Sequence, residues 1–241
     1  MNALRALAAL VLLAAGGFGW YELVESPCSG AFEPVVTHGR GHAVALTFDD
    51  GPTRGITDRL LGVLEREHVP ATFFVVGRAS LREPALLRRM RADGDEIEDH
   101  SQSHAHLNTQ IVPGALDAQI GETADAVAAA TGRAPHWLRP PFGARNAAVL
   151  DAAAKRGMRV VLWSAMLDQT SPRTMPDVLA RRLLAQVGDG AIVVLHDGDQ
   201  GRDDGGERAY EASLAPLVIA ALRARGYRFL TLDQLVGASP G

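Results

Sequence analysis

From Ala43 onward the sequence alternates short β-rich runs with longer helical patterns, and no other feature constrains the fold as strongly. Such alternation builds βα units around a mostly parallel sheet. The candidate strands are residues 43–48, 72–76, 96–99, 137–139, 159–163, 191–195 and 228–231, a set of seven that predicts an α/β barrel or a nearly closed one. Between them Leu60, Leu61 and Leu64 recur at helical spacing, as do Leu179, Leu183 and Leu184, so each helix carries an apolar stripe for packing. Asn146 is placed to cap a helix that ends at Gly157, and Pro176 to open one that stops before Gly188. Residues 124–130 belong to an Ala-rich helix.

At 241 residues and 47% hydrophobic content, the chain can bury one sizeable core, so a single domain is expected behind a short leader. In residues 1–21, Arg5 precedes an apolar run from Ala6 to Trp20, which is a secretory signal or an uncleaved membrane anchor. Residues 22–41, with Pro27, Gly30, Pro34 and Gly39, read as a linker, and 42–237 as the folded domain. Cys28 is the sole cysteine, which excludes an internal disulfide. A formal charge of -4 lacks the basic excess that binding to a phosphate backbone requires, so nucleic acid is not an expected partner.

The unusual polar residues follow the expected strands, where α/β barrels build their active sites. Asp49 and Asp50 come after the first strand, His100 and His104 after the third, Arg139 ends the fourth and His196 the sixth. Read alone, Asp49-Asp50-Gly51-Pro52 is ordinary turn chemistry. The two histidines are four residues apart, so on a helical turn both imidazoles would face one way and share a metal. Two His and one carboxylate make the usual open catalytic zinc site. Arg139, in an apolar Trp-Leu context, needs a carboxylate if buried, and Asp49 is the natural partner.

These residues resemble the polysaccharide deacetylases with the NodB homology domain, carbohydrate esterase family four. The resemblance runs from about Gly41 to Val236 through Thr47-Phe48-Asp49-Asp50-Gly51-Pro52, His100-Ser101-Gln102-Ser103-His104, Arg139-Pro140-Pro141-Phe142-Gly143 and Leu195-His196. It implies a single distorted (β/α) barrel of about seven repeats that removes N-acetyl groups from N-acetylglucosamine-containing polymers such as peptidoglycan, chitin-like oligosaccharide or an exopolysaccharide. It also implies that Asp50, His100 and His104 hold a divalent metal, zinc first, that Asp49 is the base oriented by Arg139, and that His196 is the acid. The N–H of Phe142 would face the oxyanion, with Pro141 and Trp163 beside the substrate, although Trp163 also suits core packing.

Two departures stand out. The family's fourth motif is reduced to Asp168, either a partner that orients His196 or a plain loop residue, and Ala105-His106 replaces the usual Pro after the second His. His106 is expected to face solvent, like His38, His42, His68 and His136. A carbohydrate polymer is the expected partner, the site of action extracytoplasmic, with membrane contact only through the leader, and the chain monomeric. Competing readings are an O-acetyl esterase of the xylan type, an eroded carbohydrate-binding protein on the same fold, and an iron oxygenase with the same ligand count.

Overall fold

The computed structural model describes residues 15–20, 26, 34–167, 174–204, 206 and 209–237. Its strands are β1 Ala43–Asp49, β2 Ala71–Val75, β3 Glu96–Asp99, β4 Trp137–Leu138, β5 Arg159–Val160, β6 Ala165–Met166, β7 Ala191–His196 and β8 Arg228–Phe229. The strand pairings are all parallel. Their order is β5-β4-β3-β2-β1-β7-β6, and β8 shares one edge of β1 with β2, pairing Ala43 and Val44 while β2 pairs Leu46 to Asp49. The sheet is thus an incomplete parallel barrel whose path ends at β5 and β6. β6 is the strand that the sequence pattern does not reveal: two residues are too few to show a period.

The helices that cover the sheet are α1 Thr57–Glu67, α2 Gly77–Arg82, α3 Pro84–Asp93, α4 Ala115–Thr131, α5 Ala147–Lys155, α6 Pro176–Leu184, α7 Ala215–Ala224 and α8 Leu232–Val236. Asn146 caps α5 by accepting from the Val149 N–H, and Pro176 opens α6, as the start signals indicate. The leucine stripes of α1 and α6 are buried.

Strand periodicity separates two kinds of interior. Val44, Leu46 and Phe48 of β1 pack outward with Phe73, Val193, Leu195 and the helical leucines, in the main core between sheet and helices. Ala43 and Ala45 point to the other face, into the barrel, with Phe74, Trp137, Val161 and Ile192. Side chains that share the parity of Ala43 line the barrel, and that parity leads to the site.

Residues 34–40, inside the stretch expected to be a linker, hydrogen-bond to the barrel. Val36 bridges to Val161 and His38 to Ala191. The buried Arg145 donates to the Ser26 carbonyl at 2.9 Å. Residues 15–20 are helical and exposed, and among the described residues no helix is long and apolar enough to cross a membrane.

Candidate active site

Asp49 ends β1 on the inward parity, in register with Phe74 of β2 and His196 of β7. Arg139, next to the end of β4, points into the same space. Its Nη1 donates to Asp49 Oδ1 at 2.6 Å and to Thr47 Oγ1 at 2.8 Å, its Nη2 donates to the Leu162 carbonyl at 3.1 Å, and its guanidinium lies 3.9 Å from the Phe74 ring centroid. Arg139 is fully buried and Asp49 3% exposed, so the pair is held in a low dielectric by several hydrogen bonds at once.

A plain extension of β1 would aim Asp50 outward with Phe48. Its φ of 76° instead turns the carboxylate inward. There both oxygens are buried and make no well-aligned hydrogen bond among the described residues, with His104 Nε2 at 3.1 Å and His100 Nε2 at 3.4 Å from Oδ1. Burial alone would raise this carboxyl, but the two imidazoles, with the field of His196, outweigh it and hold Asp50 well below the usual carboxylate range. One ligand atom each from Asp50, His100 and His104 lies within 4.8 Å of the others, the only such group of three among the described residues.

His100 keeps the inward parity of Glu96 and Glu98, one residue beyond β3. Its Nδ1–H donates to the Arg139 carbonyl at 2.7 Å; a carbonyl can only accept, so Nδ1 carries a proton and Nε2 is the ring nitrogen turned to Asp50. A helical turn does not carry His104 to it. The segment is a loop with left-handed residues at Ser101 (φ 67°) and His104 (φ 57°), started by Asp99, whose Oδ1 accepts the Ser101 N–H at 2.7 Å. The two histidines thus come together through a loop and not through the helical turn that their four-residue spacing suggests. Burial holds the His104 imidazole below its ordinary value, which favours the neutral, ligating form.

On the other side His196, 4% exposed, meets Glu211, 2% exposed, with Nδ1 and Oε2 2.9 Å apart. Glu211 carries no sequence signal: it sits 15 residues downstream in the turn Ala209–Leu214, beyond a Gly- and Asp-rich loop. Asp168, expected as a partner of His196 or a plain loop residue, lies outside the described residues. Thr47 is likewise hidden in the sequence, because a Thr in a strand reads as a β-former.

Residues 37–161 match the polysaccharide deacetylase family, which is more than half of the chain. This chain belongs to that family. It is 35% identical to a chitooligosaccharide deacetylase of Bradyrhizobium, over 80% of this chain and 90% of that one. It is 34% identical to a peptidoglycan-N-acetylglucosamine deacetylase of Listeria monocytogenes over 80% of its own residues, but spans only 39% of that relative's length. Among solved structures, the peptidoglycan deacetylase PdaC from Bacillus subtilis shares 31% identity and a TM-score of 0.69, over 82% of this chain and 90% of that one.

The remaining expected residues of this family member divide. Pro141 is buried and Phe142 is half-exposed at φ 62°, its ring edge-on to His104 at 4.8 Å. Trp163 is partly buried against the barrel interior cluster. His106 does not simply face solvent: its ring stacks on Phe142 at 5.5 Å. Nor does His136, whose Nε2 lies 2.7 Å from Asp233 Oδ1 and whose Nδ1 lies 3.4 Å from Glu98. His38, His42 and His68 are exposed, as expected.

Proposed function

We propose that this chain is a metal-dependent hydrolase that removes N-acetyl groups from an N-acetylglucosamine-containing polysaccharide or oligosaccharide outside the cytoplasm. The observation that carries the reading is Asp50. Its buried oxygens make no well-aligned hydrogen bond among the described residues, and two imidazole Nε2 atoms lie 3.1 and 3.4 Å from one of them, so three ligand atoms converge where a cation would sit. Two imidazoles and one carboxylate suit zinc and leave room for further ligands. The relatives' activities and the apolar leader support the substrate class and location.

Asp50, His100 and His104 would hold a divalent metal, which when bound would supply Lewis acidity toward an amide carbonyl and a water. Asp49, paired with the Arg139 guanidinium at 2.6 Å, then removes the proton of the attacking water. Arg139 fixes the orientation of Asp49, because Thr47 and the Leu162 carbonyl also hold its Nη1 and Nη2 groups. The Phe142 N–H faces the oxyanion. Across the site His196 delivers a proton to the leaving amine, with Glu211 stabilising its imidazolium form. His196 and Asp49 are register partners on adjacent strands, so acid and base flank one reacting bond.

The same groups suit ester hydrolysis, so the substrate test compares both linkages. The full chain with zinc is expected to release acetate from N-acetylglucosamine oligomers or peptidoglycan and far less from acetylated xylan. The reverse preference would replace the amidase reading with the esterase.

A further inference from the structure

Thr57 and Asp197 have no part in the chemistry above, yet they tie the two strand ends of the site together. Asp197 follows His196 and is 1% exposed, and its Oδ2 accepts the Thr57 hydroxyl at 2.6 Å. The same Thr57 oxygen accepts the Thr53 N–H at 2.8 Å, so one hydroxyl links the loop after β1 to the loop after β7. Backbone bonds run alongside: the Asp197 N–H donates to the Asp49 carbonyl and the Gly201 N–H to the Asp50 carbonyl, both at 3.2 Å.

The contact is tight enough to dictate residue type. A Cβ on Gly51 would overlap the Asp197 carboxyl, and one on Gly198 would overlap the Asp50 carbonyl. Between these two glycine contacts sits Asp50, in a left-handed conformation that is uncommon for residues with a side chain, although Asp adopts it more readily than most. Asp197 Oδ1 makes no hydrogen bond among the described residues, so the carboxyl is not placed there by its own solvation.

We propose that the Thr57–Asp197 pair is a brace that fixes the conformation of Asp50 and thereby sets the affinity of the site for its divalent metal. Both are positioning residues, and the inference rests on the metal reading of Asp50, His100 and His104. Without the brace the Asp50 loop relaxes toward an ordinary backbone conformation, and metal binding must reorganise it.

A purely structural role, such as supporting the N-terminus of α1, would lower the stability of the metal-free protein and leave zinc affinity alone. The test therefore measures zinc affinity by competition with a chelator on the full chain, alongside thermal unfolding of the metal-free form. Thr57→Val should weaken zinc binding by about 10–100-fold, the usual effect of losing a group that supports a ligand, while Thr57→Ser restores it. Gly198→Ala, which presses on the Asp50 carbonyl from the other side, should weaken it too and serves if Thr57→Val does not fold.

Parental zinc affinity in Thr57→Val or in folded Gly198→Ala would overturn the brace. A parent chain that binds zinc but releases no acetate would sink the deacetylase reading alone, with the brace still decided by the affinities. A parent that binds no divalent metal would overturn both.

Discussion

Arg139 and Asp49 show how a single buried pair is legible in the order of residues alone. An arginine at the end of an apolar strand has to find a carboxylate, and the one at 2.6 Å is the one that sequence order offers. Arg139→Ala should therefore cost about 3–5 kcal/mol of folding free energy in the metal-free protein, since it leaves Asp49 buried and uncompensated. Denaturant unfolding measures this, and a loss within about 1 kcal/mol would mean the pair is hydrated enough to stand alone. Other residues are not legible for equally physical reasons. The left-handed turn at Asp50, the loop that replaces a helical turn between His100 and His104, and the reach of Glu211 to His196 all depend on tertiary contacts. No local pattern encodes them.

At the scale of elements, the long buried strands β1, β2 and β7 can be read almost to their ends, because strands buried on both faces appear as continuous apolar runs. The two-residue strands β4, β5 and β8 lie inside candidate runs longer than themselves, whereas β6 leaves no local signal at all. The barrel interior below the site is unexpectedly polar. Glu98 accepts the N–H groups of His136 and Trp137 at 2.8 Å each, while Asp233 of α8 accepts from Trp137 Nε1 at 2.7 Å and meets His136, tying α8 to β3 and β4. Burial pushes the Glu98 carboxyl up to about 8 and the Asp95 carboxyl to about 7, and contact with Asp233 raises His136.

Groups with raised folded-state values bind protons more tightly folded than unfolded. Their stabilisation is complete below the unfolded value and is lost as pH rises through the folded one. Asp233, held low mainly by His136 against the effect of burial, works the opposite way, but only at pH below the ordinary carboxylate value. So does His104, held low by burial: its contribution rises with pH toward the ordinary histidine value and is outweighed by the several raised groups. The urea midpoint of the metal-free protein should therefore fall between about pH 5 and about pH 8, and Glu98→Gln should flatten the fall. A midpoint that rises over this window would contradict the assigned directions.

Across the whole molecule, the incomplete barrel brings the ends of β1, β3, β4 and β7 to one rim, and this convergence makes a site of residues that are individually unremarkable. The chain matches nearly the full length of the Bradyrhizobium relative but about two fifths of the Listeria one, so its activity has to be measured on this chain itself. The most direct measurement is metal content and acetate release on the same samples of parent, Asp49→Asn and His104→Ala, each loaded with zinc. The parent should hold metal and release acetate, Asp49→Asn should hold metal and release none, and His104→Ala should lose most of both. Full metal content with parental acetate release in His104→Ala, or undiminished release in Asp49→Asn, would contradict the account.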